Sequence, residues 1–452
     1  VTFLLKTRPK IFYGWWIALS GCAITGVSAG VSFWSFGIFI LPIEQEFGWL
    51  RAEISIAFSL GWLVQGLLGP FVGRAVDRYG ARPLILWGTL ATGVCFVLLT
   101  TTSSLWQFYL FHMLASFCRS WMFYLPMNVL ITKWFVRRRN VALAVFTLGF
   151  PIGGVVFIPL LTLIANAAGW RAGYFFCAIV LYIIVLPLAL LVLRNSPSEM
   201  GLTPDDDSRE VISREPVSAV PGVVSSPSDG TIDPPQAGHQ DMPPSRALAR
   251  SWTVKEALRT QAFWLLALGF SVTFLTQISF SVHSIPFFVS KGLAAETAAL
   301  VVSASTAVVG LLRIPYGFAI DRIHNVRAVM MLLILTQGTA LGLLLVSVDP
   351  IALCAFIALW GFTGGGMPLM ESSLIVRAFG DRNYGAILGT SGLVSTIGTV
   401  AGPVLTGMVF DATGGYTSAI IASLAVSLVA FVCFLAFRAP SVGAVREPPR
   451  AR

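Results

Sequence analysis

Two arginines stand inside long apolar runs, where a charge is costly. Arg119 and Arg313 are flanked on both sides by Leu, Phe, Val and Ala. In a lipid-spanning helix such a charge costs at least about 2.5–3.5 kcal/mol, so a retained one faces a cavity or a partner acid. A guanidinium stays charged and offers a planar fork of donors, which suits a carboxylate. Arg313 precedes Asp321 by eight residues, about 12 Å in from the helix end at 1.5 Å per residue. It could bind an anionic substrate or belong to a structural ion pair. Arg119 lies fourteen residues before Lys133, roughly 21 Å deep, on one helical face with His112, Ser116 and Phe123. It could hold a second acidic group of a substrate or pair with a protein carboxylate.

Three further residues could do chemistry at this depth. Glu371, six residues before Arg377, is the only carboxylate placed inside a span. It could carry a proton or close a gate with Arg377. His283, in His283-Ser-Ile-Pro286, sits near the other end of its span. It could titrate near physiological pH, contact an anion, or serve as a polar rim residue. Tyr124 is a candidate substrate contact, although Tyr124, Trp121 and Trp34 at helical spacing also suit packing. There is no GxxxxGK[ST] loop, triad spacing or His/Cys metal cluster. An enzyme is not expected, nor a cofactor.

The elements that position these side chains are membrane helices. Of the 452 residues, 56% are hydrophobic and 11% charged, against roughly 25% charged in soluble domains. Apolar runs of about twenty residues, the length that crosses a bilayer as a helix, recur near 15–42, 52–73, 84–102, 105–132, 140–165, 172–193, 260–288, 297–316, 328–347, 350–376, 384–409 and 417–437. The net charge of +9 follows topology and does not call for nucleic acid. Of the 30 Lys and Arg, only Arg51, Arg171 and Lys291 fall in one set of loops, and Arg119 and Arg313 in spans. The rest lie in the alternate loops and termini, which places both termini in the cytoplasm of a cell whose inner membrane holds the chain. The first span is too long for a signal-peptide core and should be retained. Six scattered cysteines read as small apolar fillers.

The two halves repeat. A shift of 244 residues places Pro42 on Pro286, Gly48 on Gly292, Gly73 on Gly317, Asp77 on Asp321, Arg78 on Arg322, Gly154 on Gly398 and Pro159 on Pro403. This predicts an all-α membrane protein of twelve transmembrane helices in two pseudo-symmetric six-helix bundles, residues 1–194 and 256–452. Residues 195–255 between them hold nine prolines and no Phe or Tyr, the composition of a largely disordered cytoplasmic linker. Thr253 and Glu256 at its end have capping-box spacing. Parallel repeats suit alternating access about a site at their interface. Arg119 and Arg313 break the repeat, facing Thr363 and Gly69 in the other half, as one substrate lying across such an interface requires.

At Gly73-Arg-Ala-Val-Asp77-Arg78-Tyr-Gly80-Ala-Arg82, echoed at Gly317-Phe-Ala-Ile-Asp321-Arg322, the chain resembles the major facilitator superfamily. The resemblance implies that Gly73, Asp77, Arg78, Arg82, Gly317, Asp321 and Arg322 form a conformational latch on the cytoplasmic side of the outward-open state. Trp134-Phe135-Val-Arg137-Arg138-Arg139-Asn-Val141-Ala142, with Gly149 and Pro126, is similar to the start of span five in monocarboxylate transporters. Tyr13-Gly14-Trp15-Trp16, Phe47-Gly48-Trp49 and Pro197-Ser-Glu-Met-Gly201-Leu-Thr-Pro204-Asp205 resemble their bacterial relatives, including oxalate–formate antiporters. Arg313 has the spacing of the span-eight Arg that binds substrate carboxylate in the family. The Asp four residues earlier is replaced by Val309, and the span-one Lys of the animal members is missing.

Together these readings predict a monomeric secondary transporter of a small organic anion, most simply a monocarboxylate, with a proton or counter-anion as partner. An exporter of apolar compounds on the same fold, or a non-transporting sensor, are the alternatives. Topology is directly checkable. In a cysteine-free background, Cys at Asn166 and Ser104 should react with an impermeant maleimide added to intact cells. Cys at Gln240 should react only after lysis, and external labelling there would defeat the twelve-span reading.

Overall fold

A computed structural model describes residues 12–206, 252–320, 322–323, 325–380 and 383–439. Of the expected disordered linker, 195–206 and 252–255 are described and are ordered, with short 3-10 helices at Pro197–Met200 and Pro204–Asp206; the rest of it, and Asp321, lie outside the described residues. Among those residues every regular element is a helix. Helix α1 (Tyr13–Ala29) passes through a π turn at Gly30–Trp34 into α2 (Ser35–Phe47). Next come α3 (Arg51–Tyr79), α4 (Ala81–Leu99), α5 (Leu105–Ser120) and α6 (Tyr124–Trp134). Then α7 (Arg139–Thr147) leads into α8 (Gly149–Val180), which continues through π turns at Leu181–Val185 and Leu188–Val192. The second half holds α9 (Val254–Leu258), α10 (Gln261–Ser290), α11 (Ala295–Ile320), α12 (Val326–Val346), α13 (Pro350–Phe379), α14 (Tyr384–Thr413) and α15 (Thr417–Ala436).

Ten helical stretches among the described residues are long and apolar enough to cross a membrane. One of them, Val141–Val192, has 52 residues, far beyond the roughly 20 that a single crossing needs. It turns back at Gly169, whose φ of 82° and ψ of 168° suit a residue without Cβ. Trp134 Nε1 donates to Arg194 O at 3.0 Å, which puts both ends of the stretch on one side. The run 105–132 differs from expectation by splitting into α5 and α6 around Trp121–Phe123. Near Lys255 the expected capping box forms: Glu256 N donates to Thr253 Oγ1 at 3.3 Å and Thr253 N to Glu256 Oε2 at 2.9 Å.

Glycine sets the closest helix contacts, as is usual where lipid removes the hydrophobic drive between helices. A Cβ on Gly153 would stand 2.1 Å from Gly26 O, and one on Gly398 would stand 1.9 Å from Ser271 O. These are matching contacts, α8 on α1 and α14 on α10. Their register differs by one residue from the repeat seen in the sequence.

The buried core is divided unequally. One continuous cluster fills the first half and reaches Phe287, Phe356 and Tyr416 in the second. A separate cluster around Phe263, Tyr316, Phe379 and Phe434 fills the other end of the second half. The halves are thus fused at the end carrying Arg51 and Arg171, here called the far end. They are separate at the basic end, which carries Arg74–Arg82 and Arg137–Arg139. Gly153→Val should force α8 off α1 and cost about 1–3 kcal/mol. Gly392→Ala, with open space around it, should gain helix propensity instead. Thermal unfolding of the two purified variants should therefore shift in opposite directions.

Candidate functional site

Between the halves lie two adjoining cavities of about 170 and 640 Å³. Trp62, Phe150, Phe274, Arg313 and Pro368 line both. The larger reaches Gly69, Val72 and Leu125 toward the basic end, and Tyr124 and Gln65 also face it. The smaller is walled mainly by aromatic rings, with Gln277, Ser281, Ser284, Ser305 and Thr306 as its uncharged polar groups. Arg313 is the one charged residue on either wall among the described residues.

The position of Arg313 has a local cause. Its Nη1 donates to Thr147 O at 2.8 Å, across the interface of the halves. In a continuing helix that carbonyl would accept from the amide four residues on. That residue is Pro151, which has no N–H. The break between α7 and α8 therefore leaves an acceptor that the other half satisfies. One of five guanidinium donors is used, and among the described residues no carboxylate pairs with Arg313. Val309, one turn earlier, lines the smaller cavity and offers no counter-charge. Such a group can receive a carboxylate bidentately. The structural ion pair considered for it does not form here.

Of the other expected site residues, one is brought to the same cavity as Arg313 and the rest are not. Tyr124 shares the larger cavity with Arg313. Arg119 lines neither cavity and faces a separate pocket in the first half, behind Trp62. His283 is fully buried at the far end, bridging Ser55 Oγ at 3.2 Å, Tyr416 Oη at 3.1 Å and Pro403 O at 2.9 Å. It belongs to the closed seam between halves and lines neither central cavity. Glu371 looks sideways onto α14, where Ser391 Oγ donates to its Oε1 at 3.4 Å. It lines neither cavity and forms no ion pair with Arg377 among the described residues.

Among the described residues, Gly73, Asp77 and Gly317 are not engaged across the halves. Asp77 is exposed and makes no ion pair among the described residues. Neither glycine marks a tight helix contact: a Cβ on Gly73 would touch only Leu125 at 3.8 Å, and one on Gly317 nothing. Arg78 and Arg322 are exposed. Arg82 serves a different purpose. Its side chain donates to Ala189 O and Leu190 O at 3.3 and 2.6 Å, capping carbonyls left open where the second part of Val141–Val192 ends.

Sequence reasoning missed the far-end seam. Asp411 of α14 accepts from Arg51 N at 3.1 Å and Ala52 N at 2.9 Å, so a carboxylate of one half caps the N-terminus of α3 in the other. The Arg51 side chain pairs with Glu44 at 2.9 Å, donates to Tyr416 Oη at 2.8 Å and lies 3.7 Å over the Phe410 ring. Asn166 Nδ2 donates to Glu296 Oε1 at 2.5 Å farther round. The signal was present: Arg51 is one of three basic residues at this end, and the N-cap position of α3 is Leu50, whose side chain cannot accept from the first amides. With the far end sealed and the cavity reaching the basic end, the structure is open at the basic end.

Comparison with known proteins gives one consistent result. The sequence model described as Major Facilitator Superfamily matches residues 22–298 and 284–452. The oxalate:formate antiporter of Oxalobacter formigenes is 22% identical over 416 residues, covering 91% of this chain and 88% of that protein. Human monocarboxylate transporter 11 is 25% identical over 429 residues, covering 92% and 81%. The solved inward-facing, occupied structure of a bacterial homologue of the human lysosomal transporter Spinster superposes with a TM-score of 0.70 at 13% identity, covering 95% of this chain and 97% of that one.

Removing the Asp411 cap should loosen the far end by about 1 kcal/mol, roughly a fivefold shift in population. In Asp411→Ala, a Cys at Ser281 in the smaller cavity should react about fivefold faster with a maleimide supplied from the Arg51 side. An unchanged rate would mean that the cap does not hold the seam.

Proposed function

Because this chain belongs to the Major Facilitator Superfamily, and is therefore a multi-pass membrane transporter, we propose that it moves a small organic anion, a monocarboxylate, by alternating access. Arg313 binds the carboxylate. The observation that carries this reading is a single unpaired guanidinium on the wall of a cavity otherwise lined by aromatic, small and neutral polar residues. The two relatives named above, an oxalate:formate antiporter and a monocarboxylate transporter, support the same substrate class. On this reading Tyr124 and the hydroxyls of the smaller cavity orient the anion, while Trp62, Phe150 and Phe274 surround its carbon skeleton.

The chain makes twelve crossings as two bundles, 1–194 and 256–452, acts as a monomer in the inner membrane, and keeps the basic end and both termini cytoplasmic. The structure then corresponds to the inward-open state. Bringing Asp77 and Asp321 against the opposite half would close that side while the Arg51–Asp411 seam parts. Substrate binding would neutralise Arg313 and lower the cost of carrying it through an occluded state. Coupling is to a proton or a counter-anion. Glu371, held by Ser391 and away from the cavity, fits a place in the moving α13–α14 contact better than direct contact with substrate.

A second reading, export of apolar compounds, draws on the aromatic wall of the smaller cavity. Arg313 separates the two. A Lys keeps the charge but loses the fork, and hydrogen bonds to charged groups contribute on the order of 1.5–3 kcal/mol each. In proteoliposomes Arg313→Lys should weaken monocarboxylate binding at least tenfold, and Arg313→Ala should nearly abolish uptake with normal expression and folding. Unchanged carboxylate affinity in a well-folded Arg313→Ala would remove the anion reading and favour export.

A further inference from the structure

The pocket behind Trp62 is built around a cation with no counter-charge. Arg119 Nη2 reaches Gln65 Oε1 at 3.4 Å, while its Nε is buried with no hydrogen-bond partner. Ser32 Oγ, on the same pocket wall, is likewise buried and unpartnered. Buried donors in folded proteins are nearly always satisfied by protein, water or an ion. Two residues with orphaned donors on the wall of one cavity therefore mark a missing partner.

The other polar groups do not supply that partner. His112 Nδ1 lies 3.2 Å from Phe108 O and its Nε2 lies 3.2 Å from Tyr174 Oη. A carbonyl can only accept, so Nδ1 carries a proton, and both ring nitrogens are engaged. Ser35 Oγ donates to Val31 O at 2.7 Å. Among the described residues Arg119 forms no ion pair.

We infer that the Arg119 pocket binds a monovalent inorganic anion of chloride size, separate from the transported substrate. Size sets the class. The cavity measures about 30 Å³, whereas a water needs roughly 10–15 Å³ of such space. A halide fits with at most one water, and a carbon-bearing carboxylate does not. Charge selects an anion over water alone, because a buried unpaired guanidinium is costly without a counter-ion. Arg119 and Ser32 both line the pocket that would hold it. Gln65 and Trp62 border both this pocket's guanidinium and the central cavity, so the bound anion would brace the substrate wall from behind.

Thermal unfolding of the purified full-length protein tests this in chloride, bromide and gluconate salts at equal ionic strength. Chloride and bromide should raise the midpoint in a saturable way, and bulky gluconate should not. Arg119→Gln should lose the halide response, whereas Arg313→Gln, which disables the proposed substrate site, should keep it. Ser32→Ala retains the charge and should weaken half-saturation on the order of tenfold. Crystals grown in bromide should show an anomalous peak between Arg119 and Ser32. Equal midpoints in all three salts, an undiminished halide response in Arg119→Gln, or no bromide peak in the pocket would each overturn the assignment, even if Arg119→Gln cannot be purified.

Discussion

A carbonyl that its own helix cannot satisfy anchors the one charge that lines the central cavities among the described residues. Pro151 removes the amide that Thr147 O would otherwise meet, and Arg313 of the opposite half reaches across to it at 2.8 Å. Both groups would be costly alone in a low-dielectric setting, the carbonyl as an orphan and the guanidinium as a buried ion. Their hydrogen bond mitigates both costs at once. It leaves most of the guanidinium's donors free and fixes the fork in space. It also makes the cavity-lining cation a bridge between the two halves.

The ends of the molecule are held by different kinds of contact. At the far end backbone meets side chain across the halves: Asp411 caps α3, and Ser59 Oγ donates to Val400 O at 2.5 Å. Gly37 and Gly407 permit this, since a Cβ on either would stand about 2.5 Å from backbone of the opposite half. At the basic end the corresponding surfaces are exposed, and Asp77 stands alone among the described residues. The asymmetry is consistent with two gates that close in alternation, each relying on a carboxylate.

Much of the architecture was legible from residues 1–452 alone, because length, apolarity and the Lys/Arg bias of loops are strong signals in membrane chains. The repeat was visible because Gly and Pro mark backbone geometry and so persist at matching places. Depth was also readable, and Arg313 lies on the cavity as its distance from the span end suggested. Rotation about the helix axis was not. In a soluble helix one apolar stripe reveals the buried face, but here lipid and protein interior are equally apolar. Thus Glu371 turned out to face Ser391, Arg119 a pocket of its own and His283 a seam. The role of Arg82 was hidden for another reason: its acceptors lie over one hundred residues away, on carbonyls exposed only once the 141–192 stretch folds back.

The glycine contacts have a mechanical consequence. Gly149 and Gly153 bring the α8 backbone directly onto that of Cys22 and Gly26, with no side chains between to slide or change rotamer. Such a joint is stiff, so α1 and α8 travel together as one girder. Compliance is left to places where regular helix is interrupted, three of which are the π turn at Gly30–Trp34, the break at Trp121–Phe123 and the α7–α8 junction at Leu148. All three adjoin the aromatic walls of the cavities, through Trp34, Phe123 and Phe150. The bearing surfaces of the machine and the walls that grip its cargo are therefore built from neighbouring residues, and a change in one is felt at once in the other.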